Sequence, residues 1–471
     1  RQEEGETKDR EHTAPPSVTP SAGKAKRPFA RRRWVMLAAL SFGHFIDQGE
    51  GQALAMLFPV IKQLWGLSYA NLGLIATARN MLQTVSMPFW GYAADRLRRK
   101  WVIVFGTGVW GLWTMACGLA LNFGQLFWIR VLSGLGLGCL MPATFSLLAD
   151  LFGPRERGRA VGTLYAVGTL GIIAGILGLG LTAKPHLWRF GFIGLGLASA
   201  LSGLVIALCV QEPPRGAAEP ELAATITHEA AQRFTIHPGD LLNIVRIPTL
   251  WVAYAEGVFG LTPWVVLGSM MNTWLVDVKG MAAHLTLGHP RGSAPLFSAS
   301  VAVGAIFGNL LGGYLGDWLD RRSPRYGRVL VGQLSLLSGV PFGYLILASN
   351  LRGMAFFVLA FFAAVCVNWT APGSLQPIIQ SVVPPELRSS AYSSLKLVEG
   401  GISAFAGLLA GSLADRLGLT TALLYTVPLP WLICGLIYSV LYFVYPRDAA
   451  RLRAQMRQRR AELEVGTLVD W

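Results

Sequence analysis

His44, Asp47 and Glu50 stand three residues apart in a run that is otherwise apolar, so in a helix their side chains share one face. Arg79 and Arg130 lie inside two later apolar runs. An ionisable group near the middle of a bilayer costs roughly 3 kcal/mol or more, so each is a functional candidate. Counted at about 1.5 Å per residue from the outer ends of their runs, Glu50 lies about 16 Å deep, Arg79 about 14 Å and Arg130 about 6 Å. That arithmetic sets Glu50 opposite Arg79, Asp47 one turn deeper but within reach of a guanidinium, and Arg130 as a less direct partner. Burial and a neighbouring arginine act in opposite directions on a carboxylate's affinity for protons, and a conformational change can alter which prevails. The five residues therefore read as a proton-sensitive cluster at a central cavity, the alternative being a static ion pair that locks the first two helices. A second set comprises Glu256, Lys396 and Glu399. Glu256 and Lys396 both lie about 9 Å from the same membrane surface and are expected to meet as a salt bridge, with Lys396 alternatively an anchor for an anionic headgroup.

The elements that must position these groups are transmembrane helices. The chain has 471 residues, 53% hydrophobic and 14% charged, and a mean hydropathy of +0.46, too apolar for an ordinary soluble globule. Scanning for runs long enough to cross about 30 Å of hydrocarbon gives about twelve, from Trp34–Ile61 to Thr420–Tyr445. The expected fold is all-α, twelve transmembrane helices in two pseudo-symmetric six-helix bundles. The divisions are a disordered polar lead (1–33), a first bundle (34–210), a linker (211–248), a second bundle (249–445) and a basic tail (446–471). The linker holds Ile236, Leu241, Leu242, Ile244 and Val245, which fit a short interfacial helix.

The net charge is +14, but its cations are dispersed over alternate loops and make no nucleic-acid-binding face. Arg31–Arg33, Arg96–Lys100, Arg155–Arg159, Arg321–Arg328 and the tail carry them, so these loops and both termini are expected in the cytoplasm. The five cysteines fall in apolar helices without paired spacing, and no disulfide framework is expected. The seven histidines lack metal spacing, and there is neither a phosphate-binding loop nor a nucleophile elbow. No metal, cofactor or enzymatic activity is expected.

Helix breakers mark where backbone bends around a ligand. Thr262-Pro263-Trp264 is expected to interrupt the seventh helix and Asn368-Trp369-Thr370-Ala371-Pro372-Gly373 the tenth. Trp264, Asn368, Trp369 and Gln376 are thereby candidate cavity residues. Gly162, Gly168, Gly171, Gly175 and Gly178 of the fifth helix read instead as close helix packing.

Two short sequences recur. Gly91-Tyr92-Ala93-Ala94-Asp95-Arg96-Leu97-Arg98-Arg99-Lys100 reappears as Gly313-Tyr314-Leu315-Gly316-Asp317-Trp318-Leu319-Asp320-Arg321-Arg322, and Gly153–Ala160 corresponds to Pro384–Ala391. Two matches at nearly one offset imply duplicated halves. With Arg130-x-x-x-Gly134-x-Gly136-x-Gly138 and Glu212-Pro213-Pro214-Arg215, these motifs resemble those of the major facilitator superfamily over essentially all of the chain after residue 33. The resemblance implies a secondary transporter that exposes a midplane site to alternate sides by rocking two bundles. Residues 91–101, Ala149-Asp150-Leu151-Phe152 and Leu164-Tyr165-Ala166 further resemble the spinster branch, whose members export lysolipids and sphingoid phosphates. Of that branch's first-helix charges Asp47 is retained, whereas Gln48 replaces the arginine and Leu137 replaces an acidic residue of the fourth helix.

Asp95 is expected beside the start of the eleventh helix, where free backbone donors favour a carboxylate. It would be a latch between the bundles, with Arg96, Arg99, Asp317 and Arg321 as the other gate residues. The function expected is proton-coupled transport of an amphipathic or anionic organic solute, with a lysolipid-like molecule leading. Import of a small organic anion, and a solute-binding receptor without transport, are the alternatives. The expected partners are that solute, protons and membrane lipids, with the chain acting as a monomer.

Overall fold

The structure is a computed structural model that describes residues 32–67, 69–221, 238–282 and 292–469. The polar lead up to residue 31, Ile236, and His12, His228, His237, His284 and His289 lie outside the described residues.

Twelve helical spans run through the described residues. The first bundle holds α1 (Arg33–Gly51, continued by Ala53–Trp65), α2 (Tyr69–Arg96), α3 (Arg99–Val104, a π turn, then Trp110–Cys117), α4 (Phe123–Leu151), α5 (Arg157–Thr182) and α6 (Trp188–Cys209). The second holds α7 (Pro248–Asp277), α8 (Ala294–Arg322), α9 (Gly327–Ala348), α10 (Gly353–Val382), α11 (Arg388–Leu417) and α12 (Leu419–Tyr438). The tail helix α13 (Leu441–Val469) follows. Among the described residues nine spans are long and apolar enough by composition alone to cross a bilayer. The remaining three are α1 to α3; α1 carries His44, Asp47 and Glu50, and α2 carries Arg79.

Small residues let the helices approach closely, which is how packing forms where lipid supplies no hydrophobic drive between helices. A Cβ on Gly171 would lie 2.1 Å from the Phe45 carbonyl oxygen and one on Gly175 2.6 Å from the Gly49 Cα, so α5 lies directly against α1. Gly162 faces the other way, with Asn309 of α8 in the opposite bundle 2.5 Å from its would-be Cβ. Gly178 has open space around it and takes no part in this packing. In α4, Gly134 seats the Arg79 backbone, Gly136 the Trp110 ring and Gly138 the Ser86 side chain.

The breakers behave differently from expectation in α7. That helix runs unbroken through Pro263, and the Thr262 hydroxyl donates to the Val258 carbonyl at 2.8 Å in the turn the proline disturbs. A proline in a membrane helix is tolerated where neighbouring groups take up the backbone polarity it frees. In α10 the interruption is present as a π-helical turn over Thr370–Leu375. The described part of the linker contains a helix of only four residues, Leu242–Val245, with Leu242 and Val245 exposed.

Candidate functional site

Both copies of the recurring loop motif end on the same construction. Asp95, at the end of α2, accepts from the backbone N–H of Ser389 at 3.0 Å and of Ser390 at 2.6 Å. Asp317, at the end of α8, accepts from the N–H of Gly158 at 3.0 Å and of Arg159 at 2.9 Å. In each case the donors are the second and third residues of a helix in the opposite bundle, α11 and α5, whose first residue is an arginine. Amides there have no partner within their own helix, and the helix dipole adds to their attraction for a carboxylate. A glycine one turn before each aspartate makes the approach possible. A Cβ on Gly91 would lie 2.3 Å from the Ser393 hydroxyl, and one on Gly313 2.3 Å from the Gly158 carbonyl oxygen.

The two leading arginines, Arg157 and Arg388, converge on the linker. Arg157 donates to Glu219 at 2.6 Å, and Arg388 donates both to Glu219 and, at 3.1 Å, to Asp150. Asp150 is also bound by the buried Arg99, which reaches Glu212 at 3.1 Å. Arg99 therefore binds within the first bundle and the start of the linker, and meets the contact between the bundles through Asp150. Arg96 is exposed and bonds to Tyr92 of its own helix at 3.2 Å, while Arg321, also exposed, reaches across to the Arg155 carbonyl at 3.3 Å. Arg328 is the stronger counterpart. Buried at the start of α9, it bonds Asp317 at 2.9 Å and the Pro154 carbonyl of the other bundle. Sequence reasoning missed Arg157, Arg388 and Arg328 at this contact between the bundles, although the first two stand at the same place in the repeated loop. Glu219 carried no signal, since the linker has no periodicity to read.

Burial opposes the ionisation of Glu219, but the charges of Arg157 and Arg388 and their hydrogen bonds outweigh it, holding the carboxyl at about 2 against an ordinary 4.5. A depressed carboxylate pKa gives stability that is whole above the unfolded value and is lost as pH falls from about 4.5 to about 2. The shift corresponds to about 3 kcal/mol. Melting temperature followed across that range should fall steeply in the native protein and less so in Glu219→Gln, whose stability is already lower at neutral pH. Identical slopes would show that this clasp is not what titrates.

Above this face lies an aromatic floor to which both bundles contribute. Phe145 of α4 and Tyr392 of α11 approach to 4.8 Å between ring centroids, and Tyr165 of α5 lies 5.9 Å from Phe145. The Tyr165 hydroxyl sits beside Tyr392 and Gln376. The two charge clusters flank this floor, with the His44 ring 6.3 Å from Tyr165 and the Lys396 ammonium 5.6 Å from Tyr392.

The pairings within the clusters differ from the depth arithmetic. Glu50 pairs with Arg130, at 2.8 Å to its carboxylate and 3.0 Å to its backbone carbonyl, both residues being buried. Arg79 lies in the field of Asp47, Glu50 and Arg130 and, among the described residues, makes no ion pair. Asp47 has His44 Nδ1 at 3.9 Å, and the other nitrogen of that ring lies 3.5 Å from Gln48. In the second bundle Lys396 pairs with Glu399, one turn along its own helix, and not with Glu256. Glu399 packs on Gly257, and Glu256 stays in the field of that pair with one carboxylate oxygen lacking a hydrogen bond among the described residues.

Of the remaining cavity candidates only Gln376 reaches the floor. Trp264 stacks edge-on against Trp431 at 6.1 Å, Asn368 donates to the Ala364 carbonyl of its own helix at 2.7 Å, and Trp369 packs on Gly312 of α8.

The chain is similar to known transporters. Protein spinster homolog 1 of Xenopus laevis is 25% identical over 82% of this chain and 74% of the relative. The 4-hydroxybenzoate transporter PcaK of Pseudomonas putida is 27% identical over 84% of this chain and 88% of its own length. The crystal structure of the E. coli fucose:proton symporter FucP superposes with a TM-score of 0.63 at 15% identity, covering 89% of this chain and 99% of that one. Residues 40–406 match the family model of the Major Facilitator Superfamily. The chain therefore belongs to the Major Facilitator Superfamily, as a multi-pass membrane transporter.

Proposed function

We propose that this transporter carries an organic anion together with a proton, and that its arginine-rich face, where both aspartate latches are closed, is cytoplasmic. The positive-inside rule supports that orientation. A conformation latched at that face is the outward-facing half of an alternating-access cycle.

The observation that carries the coupling is the charge count of the first cluster. With Asp47 and Glu50 ionised against Arg79 and Arg130, the cluster is neutral. Glu50 and Arg130 are committed to each other, whereas Asp47 and Arg79 are not tied by an ion pair among the described residues. A proton on Asp47 leaves the field of Arg79 uncompensated, so proton and anion favour each other's binding. The aromatic floor of Phe145, Tyr165 and Tyr392 suits a flat or apolar body attached to the anionic group.

The first substrate to try is 4-hydroxybenzoate, because a relative of this name covers most of the chain. In proteoliposomes, an inward proton gradient should accelerate its uptake at least tenfold. Asp47→Asn should abolish that acceleration while leaving exchange without a gradient. Uptake in the variant that still follows the gradient would refute the coupling role. An anionic lysolipid, the solute implied by the spinster resemblance, is the second reading, and gradient-driven lysolipid movement without benzoate uptake would establish it instead.

A further inference from the structure

On the lipid-facing rim of the second bundle, a cavity of about 390 Å³ opens between α9 and the junction of α12 with α13, lined by Arg325, Tyr326, Leu330, Tyr442, Phe443 and Arg447. Its walls are fixed. The Tyr442 hydroxyl donates to the Gln333 side chain at 2.9 Å, and the amide of Gln333 is in turn held by Ser439 at 2.7 Å. The Tyr326 ring lies 5.8 Å from that of Tyr442, with the Arg325 guanidinium 5.1 Å from the Tyr326 centroid.

The charge in this cavity is unbalanced. Among the described residues, no carboxylate lies in ion-pair distance of Arg325 or Arg447. The neighbouring acids are turned elsewhere. Asp448 accepts from the Thr249 N–H at 2.9 Å and its hydroxyl at 2.6 Å, and Asp320 faces Arg328 at 3.5 Å. Two guanidinium groups lining one cavity with no carboxylate in ion-pair distance among the described residues call for an anion, and a phosphate offers them bidentate acceptors.

What surrounds the arginines selects the source of that phosphate. Leu330 and Phe443 are exposed, Phe443 at 69%, and they continue the cavity toward the hydrocarbon. Tyr326, exposed beside the loop, stands where tyrosines stand at a membrane interface, whereas the Tyr442 hydroxyl is engaged with Gln333 inside the bundle. A free anion would use the arginines and leave this apolar wall idle, whereas a phospholipid uses both. We infer that the Arg325–Arg447 cavity is a binding site for one anionic phospholipid, its phosphate between the two arginines and an acyl chain along Leu330 and Phe443.

Native mass spectrometry of the full-length protein, equilibrated with phosphatidylglycerol or phosphatidylcholine, tests this. The native chain should retain one phosphatidylglycerol with a preference of about thirtyfold over phosphatidylcholine, and Arg325→Gln with Arg447→Gln should erase the preference. Neither arginine belongs to the latches or the charge clusters, so transport by the variant should persist. If the double variant does not fold, Arg447→Gln alone should lose most of the preference. Equal retention of the two lipids, or an unchanged preference in the variants, would overturn the assignment. Arginine-dependent thermal stabilisation by inorganic phosphate, matching that by phosphatidylglycerol, would overturn the lipid source in favour of a free anion.

Discussion

Replacing both latch carboxylates, Asp95→Asn with Asp317→Asn, should move the conformational equilibrium about a hundredfold toward the state open at the arginine-rich face. Each aspartate accepts two backbone N–H groups at a helix start in the other bundle. An amide keeps one acceptor oxygen but turns its NH₂ toward the second donor and loses the charge. At about 1.5 kcal/mol for each charged hydrogen bond lost, two latches give about 3 kcal/mol, or about a hundredfold. The sites share no partner, so the single substitutions should add. Asp317→Asn should be the larger of the two, because it also strips the buried Arg328 of a partner at 2.9 Å, whereas the arginine beside Asp95 is Arg215 at 3.7 Å. Spin labels at the exposed positions Leu97 and Arg322, one on each bundle, would report the closed population as a short distance. A distance distribution unchanged in the double variant would show that other contacts close the gate.

The contact of Asp95 with the start of α11 was legible in the sequence for a reason specific to it. A repeated Gly-x-x-x-Asp motif gives both the close approach and the carboxylate, and the second repeat gives the helix start that receives it. Contacts made by backbone donors at a predicted helix terminus need no knowledge of side-chain direction. Ion pairs between helices do. Counting rise placed Glu50 level with Arg79, but α1 breaks around Gln52, and the turn each helix presents to its neighbour is not contained in depth. Arg130, read as peripheral, is the residue that binds the carboxylate. In the second bundle the competing principle was local. Lys396 and Glu399 are three apart on one helix and meet without any tertiary arrangement, so Lys396 was spent before Glu256 could claim it. The aromatic floor was invisible for another reason, since Phe145, Tyr165 and Tyr392 are ordinary core residues until three helices from both halves bring them together.

Removing Arg130 alone should be the most damaging single change in the first bundle. Arg130→Met leaves Glu50, 1% exposed, without its guanidinium, and breaking one side of a buried pair costs about 3–5 kcal/mol. The loss extends to the backbone, because Arg130 also donates to the Glu50 carbonyl where the first segment of α1 ends. Little folded protein should be recovered in a melting or size-exclusion measurement. Adding Glu50→Leu should restore it, since a buried pair replaced by apolar groups of similar volume is often neutral or better. The restored double variant then separates two roles that the single variant confounds. If the pair only locks α1 to α4, the double variant should still transport, and its rate should still follow the proton gradient through Asp47. A folded double variant that moves solute without regard to the gradient would assign the coupling proton to Glu50. The same two measurements on Asp47→Asn should give the converse, a normally folded protein blind to the gradient, because Asp47 supports no ion pair with either arginine among the described residues and its loss leaves no buried cation stranded.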